Sequence, residues 1–216
     1  MKKIQFDGGT MLSPVPAVLV TSKNKKGVSN VLTIAWIGIV CSTPPLLSIS
    51  IRPERLSYEY ISETGEFTVN MPGKDIVKAL DYCGVKSGRT NDKIKECGFT
   101  MLKGKKVKSE VIKECPVNLE CKVKDIIKTG GSHDIFLAEI VCVHVDADLI
   151  DKNKKIHVDE AELIAYAHGE YFPLNKKRIG SFGFSVSRKK RVSPQVQKKQ
   201  QKEKPGASNK EAPEKS

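Results

Sequence analysis

The sequence predicts a mainly β domain with a few short helices and a basic tail. Three observations carry that reading. The apolar runs are of strand length, none long enough for a membrane-spanning helix. The stretch from Val117 to Ile127 alternates, with Val117, Leu119, Cys121 and Val123 on one face and Asn118, Glu120, Lys122 and Lys124 on the other. Turn-forming clusters punctuate the runs: SKNKKG after Thr21, STPP from Ser42 and TGGSH from Thr129.

The chain has 216 residues, 39% hydrophobic and 29% charged, enough for one domain of ordinary size and a tail. Its formal net charge is +12, but the excess is unevenly placed. Ser187 to Ser216 carries ten Lys/Arg against three Glu, a net +7, which leaves +5 for the rest. That tail lacks large apolar residues apart from two valines and is expected to be disordered. It has no aromatics interleaved for base stacking, so nucleic acid is not the expected partner. The expected division is a domain over residues 1–186 and a tail over 187–216.

Six cysteines are scattered and form no C-x-x-C pair, which argues against a zinc ribbon or a thioredoxin-like site. The first ten residues, MKKIQFDGGT, contain no apolar core of a signal peptide. Free thiols in a reducing cytosol, and no membrane association, are the expectation. No G-x-G-x-x-G follows a strand, and neither G-x-x-x-x-G-K-[ST] nor G-x-S-x-G occurs. The histidine spacing gives no sign of a metal site, and none is expected.

Along the chain, Val15 to Thr21 reads as a strand that turns through SKNKKG into a second, Ser29 to Ala35. The next stretch organises the rest. Asn30 to Pro53 reads NVLTIAWIGIVCSTPPLLSISIRP and holds the only tryptophan, Trp36. It runs as an apolar strand, turns through Cys41, Ser42 and Thr43, and returns as Leu46 to Ile51 with Arg52 just beyond. Hydroxyls, backbone amides and an arginine beside apolar walls suit a phosphorylated aromatic ligand; a buried strand pair with a Pro-rich turn is the plainer alternative.

Ser57 to Glu63 reads as a short helix ended by Gly65, with Ser57 either its N-cap or a phosphate contact. Arg55 reads as a phosphate contact or a surface charge. Phe67 to Asn70 is a strand stopped by Pro72. Asp75 to Gly84 has helical periodicity, with Asp75 as a candidate cap. In GVKSGRTNDKIKECGF, Asn91 or Asp92 is placed to cap a second short helix; Ser87, Arg89 and Lys93 offer a close backbone approach, a guanidinium fork and a point charge. Thr100 to Lys113 is lysine-rich and aperiodic and reads as an exposed connection. Ile135 to Val145 reads as the longest strand, apolar on both faces except for Glu139.

The order N-x-x-T-x-A-W, C-S-x-P-P and S-I-R-P resembles the flavin reductase-like family of FMN-binding split barrels, especially its flavoredoxin branch. The likeness runs from about Pro14 to Gly183. It recurs in E-F-T-V-N, in S-G-R with D-K-I, in the turn ending His133-Asp134, and in the closing stretch before Ile179-Gly180. The resemblance implies a Greek-key FMN-binding split β-barrel of six or seven strands, assembled as a homodimer with FMN near the interface. It implies cofactor contacts from Asn30, Thr33, Ile34, Ala35, Trp36, Cys41, Ser42, Arg52, Ser57, Ser87, Arg89 and Lys93. It places His133 near the flavin, where it reads either as a redox-site residue or as a plain turn histidine. Tyr166, His168 and Tyr171 are expected to pack at an edge, with Tyr171 alternatively lining the flavin pocket.

The expected function is an FMN-binding redox protein passing electrons from NADH, NADPH or a protein donor to an acceptor. The alternative is a non-catalytic flavin-binding or storage module, because a fold does not fix an activity.

Overall fold

The computed structural model describes residues 1–174 and 177–186. They fall into two compact units, Met1–Lys176 and Lys177–Ser216. In the second, the described residues form tight turns in which Phe184 N–H donates to the Ser181 carbonyl at 2.9 Å. The expected basic tail, residues 187–216, lies outside the described residues.

Residues 1–13 of the first unit contain no regular element. The short strand β1 (Val15–Pro16) leads into the hairpin of β2 (Val18–Lys23) and β3 (Ser29–Ile34). Gly27 takes φ +86° in the hairpin turn, where a side chain would be strained. Then follow β4 (Ile37–Cys41), β5 (Leu46–Ile51), helix α1 (Leu56–Thr64) and β6 (Glu66–Met71). Gly65 ends α1 in the left-handed conformation, its N–H donating to the Ile61 carbonyl. Helices α2 (Val77–Val85) and α3 (Lys93–Glu96) come next, the second capped by the Asp92 side chain on Lys95 N–H. Asp75 caps nothing: α2 begins after a short 3₁₀ turn, without a side-chain cap. The last strands are β7 (Met101–Leu102), β8 (Val111–Ile112), β9 (Val117–Ile127), β10 (Asp134–Val145), β11 (Ile164–Ala167) and β12 (Glu170–Pro173).

Among the described residues, seven strands form one antiparallel sheet in the order β3-β2-β6-β9-β10-β5-β4. The edge strands β3 and β4 are consecutive in sequence and joined by only Ala35 and Trp36. Two residues span roughly 7 Å, so the two edges must lie close together and the sheet must curl. The result is a mostly β split barrel. Its seam is the Ala35–Trp36 link, where Ser50 N–H donates to the Trp36 carbonyl at 2.9 Å.

The interior follows the period of two. Val18 and Val20, Leu32 and Ile34, Leu47, Ile49 and Ile51, Phe67 and Val69, and Phe136 and Ala138 all point into one core with Ile61 of α1. Phe67 and Phe136 are wholly buried; truncating either to Ala costs about 3–5 kcal/mol. A second core lies outside β2 and β3, where Leu19 and Val31 meet Leu80 and Cys83 of α2 and Ile164 of β11.

The expected exposed connection after Thr100 is instead docked. Its backbone lies on a buried polar row carried by β6 and β9. Asn70 Oδ1 accepts from Ile112 N–H at 2.9 Å, and Glu120 accepts from the amides of Lys105, Lys106 and Val107 at 2.7, 2.6 and 2.8 Å. Val107, Ser109, Val111 and Ile112 are buried. The lysines face outward while the main chain between them is bound, which explains the polar, aperiodic reading.

All six cysteines are free. Among the described residues no helix is long and apolar enough to cross a membrane.

Candidate functional site

The barrel seam opens into a cleft of about 310 Å³. Thr33, Ile34, Ala35 and Trp36 form one side, Ser50, Ile51 and Arg52 the other. Arg55, His133, Tyr166 and Tyr171 complete its lining. This arrangement follows from topology. The β3 terminus and the β4–β5 hairpin meet at the seam, and β5 pairs with β10 from Asp134 onward, which brings His133 beside Arg52. Thr33 Oγ1 donates to the Leu80 carbonyl and ties the strand end to α2. Trp36 remains 39% exposed at the mouth.

A second cleft, of about 580 Å³, lies beside the first along β3 and the start of α1. Asn30, Gly88, Arg89 and Lys93 line it with Tyr60 and Glu110. Lys93 is 3% exposed and donates to the Cys83 carbonyl at 3.1 Å. Arg89 is exposed and pairs with Glu59 at 3.0 Å. Ser57 is wholly buried and accepts from Asn30 Nδ2 at 2.8 Å. It therefore does not act as the N-cap of α1; that position belongs to Arg55, which makes no side-chain cap bond.

Four expected cofactor contacts line neither cleft: the buried Ser57 and, nearer the surface, Cys41, Ser42 and Ser87. Ser42 is exposed in the β4–β5 turn, and Cys41 Sγ contacts the Thr43 carbonyl at 3.4 Å. Ser87 is exposed and accepts from Arg89 N–H at 3.2 Å.

The electrostatics link the two clefts through Arg55. Burial pulls the His133 imidazole below its ordinary range, and the charges of Arg52 and Arg55 add to this against Glu54. Burial likewise lowers the Lys93 ammonium, opposed by Cys83 and aided by Arg55. Arg55 thus acts on a group in each cleft; Arg52 and Arg55 bring positive charge to the first cleft, while Lys93 is buried against the second. Two aromatic rings line the first cleft as well. Tyr166 and Tyr171 meet at a tilt of 54° with centroids 5.4 Å apart, and Tyr171 donates to Asp81 at 3.1 Å. Burial and then Asp81 push the Tyr171 hydroxyl up to about 12, so it stays protonated at neutral pH.

Cationic, aromatic and apolar groups lining one narrow cleft suit a planar ligand bearing an anionic group. The match to known proteins agrees. Residues 10–175 match the family model described as "Flavin reductase like domain". The chain belongs to that family. The flavin reductase-like domain is also similar to flavoredoxin of Desulfovibrio vulgaris (Miyazaki F), with a TM-score of 0.79 and 28% identity, covering 86% of this chain and 100% of that one. Flavoredoxin from Methanosarcina acetivorans gives a TM-score of 0.77 and 27% identity, covering 87% and 100%. An uncharacterized protein of Archaeoglobus fulgidus is 36% identical over 137 residues, 63% of this chain and 76% of that protein.

Within this flavin reductase-like domain, sequence reasoning placed Thr33 to Trp36, Arg52 and His133 among the site residues, and they share one cleft. It did not single out Ala17, Leu32, Ser50 or Ile51, and read Tyr166 as edge packing. The register of β2 against β3 and of β4 against β5 sets all but Tyr166, whose place depends on β11 pairing with β1.

Proposed function

We propose that the protein binds FMN and passes electrons through it, from NADH, NADPH or a protein donor to an acceptor. The observation that carries this reading is the pair Arg52 and Arg55 on the cleft at Thr33 to Trp36, with Lys93 buried against the second cleft. The charges fit a phosphate, and the strand end with Trp36 and the two tyrosines fits a flat ring. In this assignment Arg52 and Arg55 hold the phosphate, with Asn30 and Ser57 bracing β3 against α1. Thr33, Ile34, Ala35 and Trp36 flank the ring, and His133 sits at its edge. Arg89, held by Glu59, forms the outer wall.

Bound FMN supplies the redox chemistry, and the protein supplies binding, orientation and local charge. The depressed His133 is neutral at pH 7, so it presents a hydrogen-bonding imidazole without adding a cation. A second copy of the chain is the proposed cover for edge strand β4, whose Ile39 is 68% exposed and Val40 57%. The free thiols suit a reducing cytosol.

The test is an absorbance spectrum of purified protein, with FMN supplied, followed by anaerobic NADH or NADPH. Bands near about 370 and 450 nm, the cofactor's own absorption, are the expected result. Bleaching by a nicotinamide selects that donor. A protein that stays yellow with both nicotinamides and with candidate protein donors supports the storage alternative. Absence of flavin binding overturns the proposal.

A further inference from the structure

Away from both clefts, β9 and β10 bring together three side chains of metal-binding type. Glu120 Oε1 lies 2.5 Å from His144 Nε2, and Cys142 Sγ lies 3.8 Å from the same nitrogen. The three ligand atoms all fall within 4.8 Å of one another. A register shift creates this cluster. Ile140 faces Cys121, but the next pair is Cys142 with Glu120, so β10 spends one extra residue there. Without that bulge Val141 would oppose Glu120, and Cys142 and His144 would turn to the other face. Bulges re-aim side chains in this way.

We propose that Glu120, Cys142 and His144 form a binding site for a divalent transition ion of the zinc class. Thiolate, imidazole and carboxylate are the donors zinc takes, at about 2.0–2.3 Å. Ligands at those lengths around a tetrahedral centre lie roughly 3.3–3.8 Å apart. The Cys142–His144 separation already falls at that spacing. The Glu120–His144 pair opens by less than about 1 Å as the ion replaces the hydrogen between them.

The carboxylate is oriented in advance. Backbone amides of Lys105, Lys106 and Val107 hold it, and it is wholly buried. Outer hydrogen bonds of this kind fix a ligand's direction. The His144 side chain is 33% exposed and Cys142 half-buried, so solvent can reach the fourth position. Binding releases the Cys142 thiol proton to solvent, because the thiolate is the ligand. The ligands come from two strands and depend on a bulge, so sequence spacing gives no sign of them.

The probe is Co²⁺ added to the full-length, metal-free protein under reducing conditions, followed by Zn²⁺. One equivalent of Co²⁺ per chain should give thiolate-to-cobalt charge transfer in the near ultraviolet and tetrahedral visible bands, both lost when Zn²⁺ displaces it. Cys142→Ser should abolish the charge-transfer band. Cys41→Ser, which changes another half-buried thiol, should leave it intact. His144→Ala should weaken Co²⁺ by at least about 10- to 100-fold, the range seen when even a ligand's supporting partner is removed. Circular dichroism and the thermal midpoint establish that each variant is folded; neither substitution removes the Glu120 anchor of the loop. No charge-transfer band at stoichiometric Co²⁺, a band that survives Cys142→Ser, or unchanged affinity in His144→Ala each overturns the proposal. Flavin binding is read separately, so the outcome is independent of the redox assignment.

Discussion

Asn30 Nδ2 donates to Ser57 Oγ across 2.8 Å, and both residues are buried. The bond joins the start of β3 to the first turn of α1, beside the second cleft that Asn30 lines, and so holds the helix that follows Arg55 against the strand. Removing either partner leaves a buried polar group without its mate, at a cost of about 1–3 kcal/mol. Asn30→Ala and Ser57→Ala should each lower the unfolding free energy by that amount in urea titrations. The double variant should lose less than the sum, by roughly 0.5–3 kcal/mol of coupling. Strict additivity would show that the pair does not act as one unit.

Arg52 and Arg55 test the phosphate assignment. Arg52 has only a loose contact with Glu54, 3.6 Å across, in an exposed setting. Little internal pairing must be broken to turn it toward a ligand. A charge-assisted hydrogen bond is worth about 1.5–3 kcal/mol, or about 10- to 150-fold in affinity. Arg52→Ala and Arg55→Ala should each weaken FMN by that order while changing riboflavin far less, since riboflavin has no phosphate. Equal losses for the two ligands, read by fluorescence titration, would sink the phosphate role.

His133 gives a pH signature. Its folded-state pKa lies below the ordinary value, through burial first and then Arg52. A group with a depressed pKa contributes stability above its unfolded value of about 6.5, and that contribution is lost as pH falls through the folded one. The His133 ring-proton resonance should therefore titrate with a midpoint below about 6.5. In Arg52→Ala the midpoint should move upward. A midpoint unmoved by that substitution would separate the two side chains electrostatically. His133→Asn should change electron transfer more than FMN affinity, and no change in either would make it a plain turn residue.

Much of the barrel was legible because period-two alternation fixes which side chains share a face. Strands β9 and β5 occupy the expected spans, Val117–Ile127 and Leu46–Ile51. Alternation does not say what covers the polar face. Asn118 and Glu120 read as solvent-facing, yet they are buried beneath the segment after Leu102 because its backbone amides need acceptors. Asn118 Nδ2 donates to the Ile112 carbonyl at 3.1 Å in the same layer. In the site, Trp36 and Arg52 stood out through their chemistry. Ser50 did not, because its place depends on the Trp36 carbonyl across the seam, a contact set by closure of the sheet.

The docked segment makes its own prediction. A methyl group at Gly104 would meet the Val107 carbonyl oxygen at 2.6 Å and that of Ser109 at 2.7 Å. Both are backbone atoms, and they cannot swing aside without disturbing the amides bound to Glu120. Gly104→Ala should destabilise the fold by about 1–3 kcal/mol, the usual cost of overpacking. Gly131→Ala is the control, since its nearest neighbour is 3.5 Å away. Equal midpoints for the two variants would mean that the segment yields freely and is not pinned.

Trp36 is the only tryptophan in the chain and sits at the cleft mouth, 39% exposed. Its emission therefore reports one place, without background from other indoles. A flat ring bound along Thr33 to Trp36 removes water from the indole face and offers an acceptor for its excitation energy. FMN should quench Trp36 emission to saturation at one equivalent per chain, with the residual emission shifted to the blue. Riboflavin should quench to the same limit at higher concentration, since it fills the ring position without the phosphate contacts. In Arg52→Ala the FMN curve should move toward the riboflavin curve while the limit stays fixed. An FMN complex that leaves Trp36 emission unchanged would place the ring elsewhere, and the cleft at Ala35–Trp36 would lose its assignment.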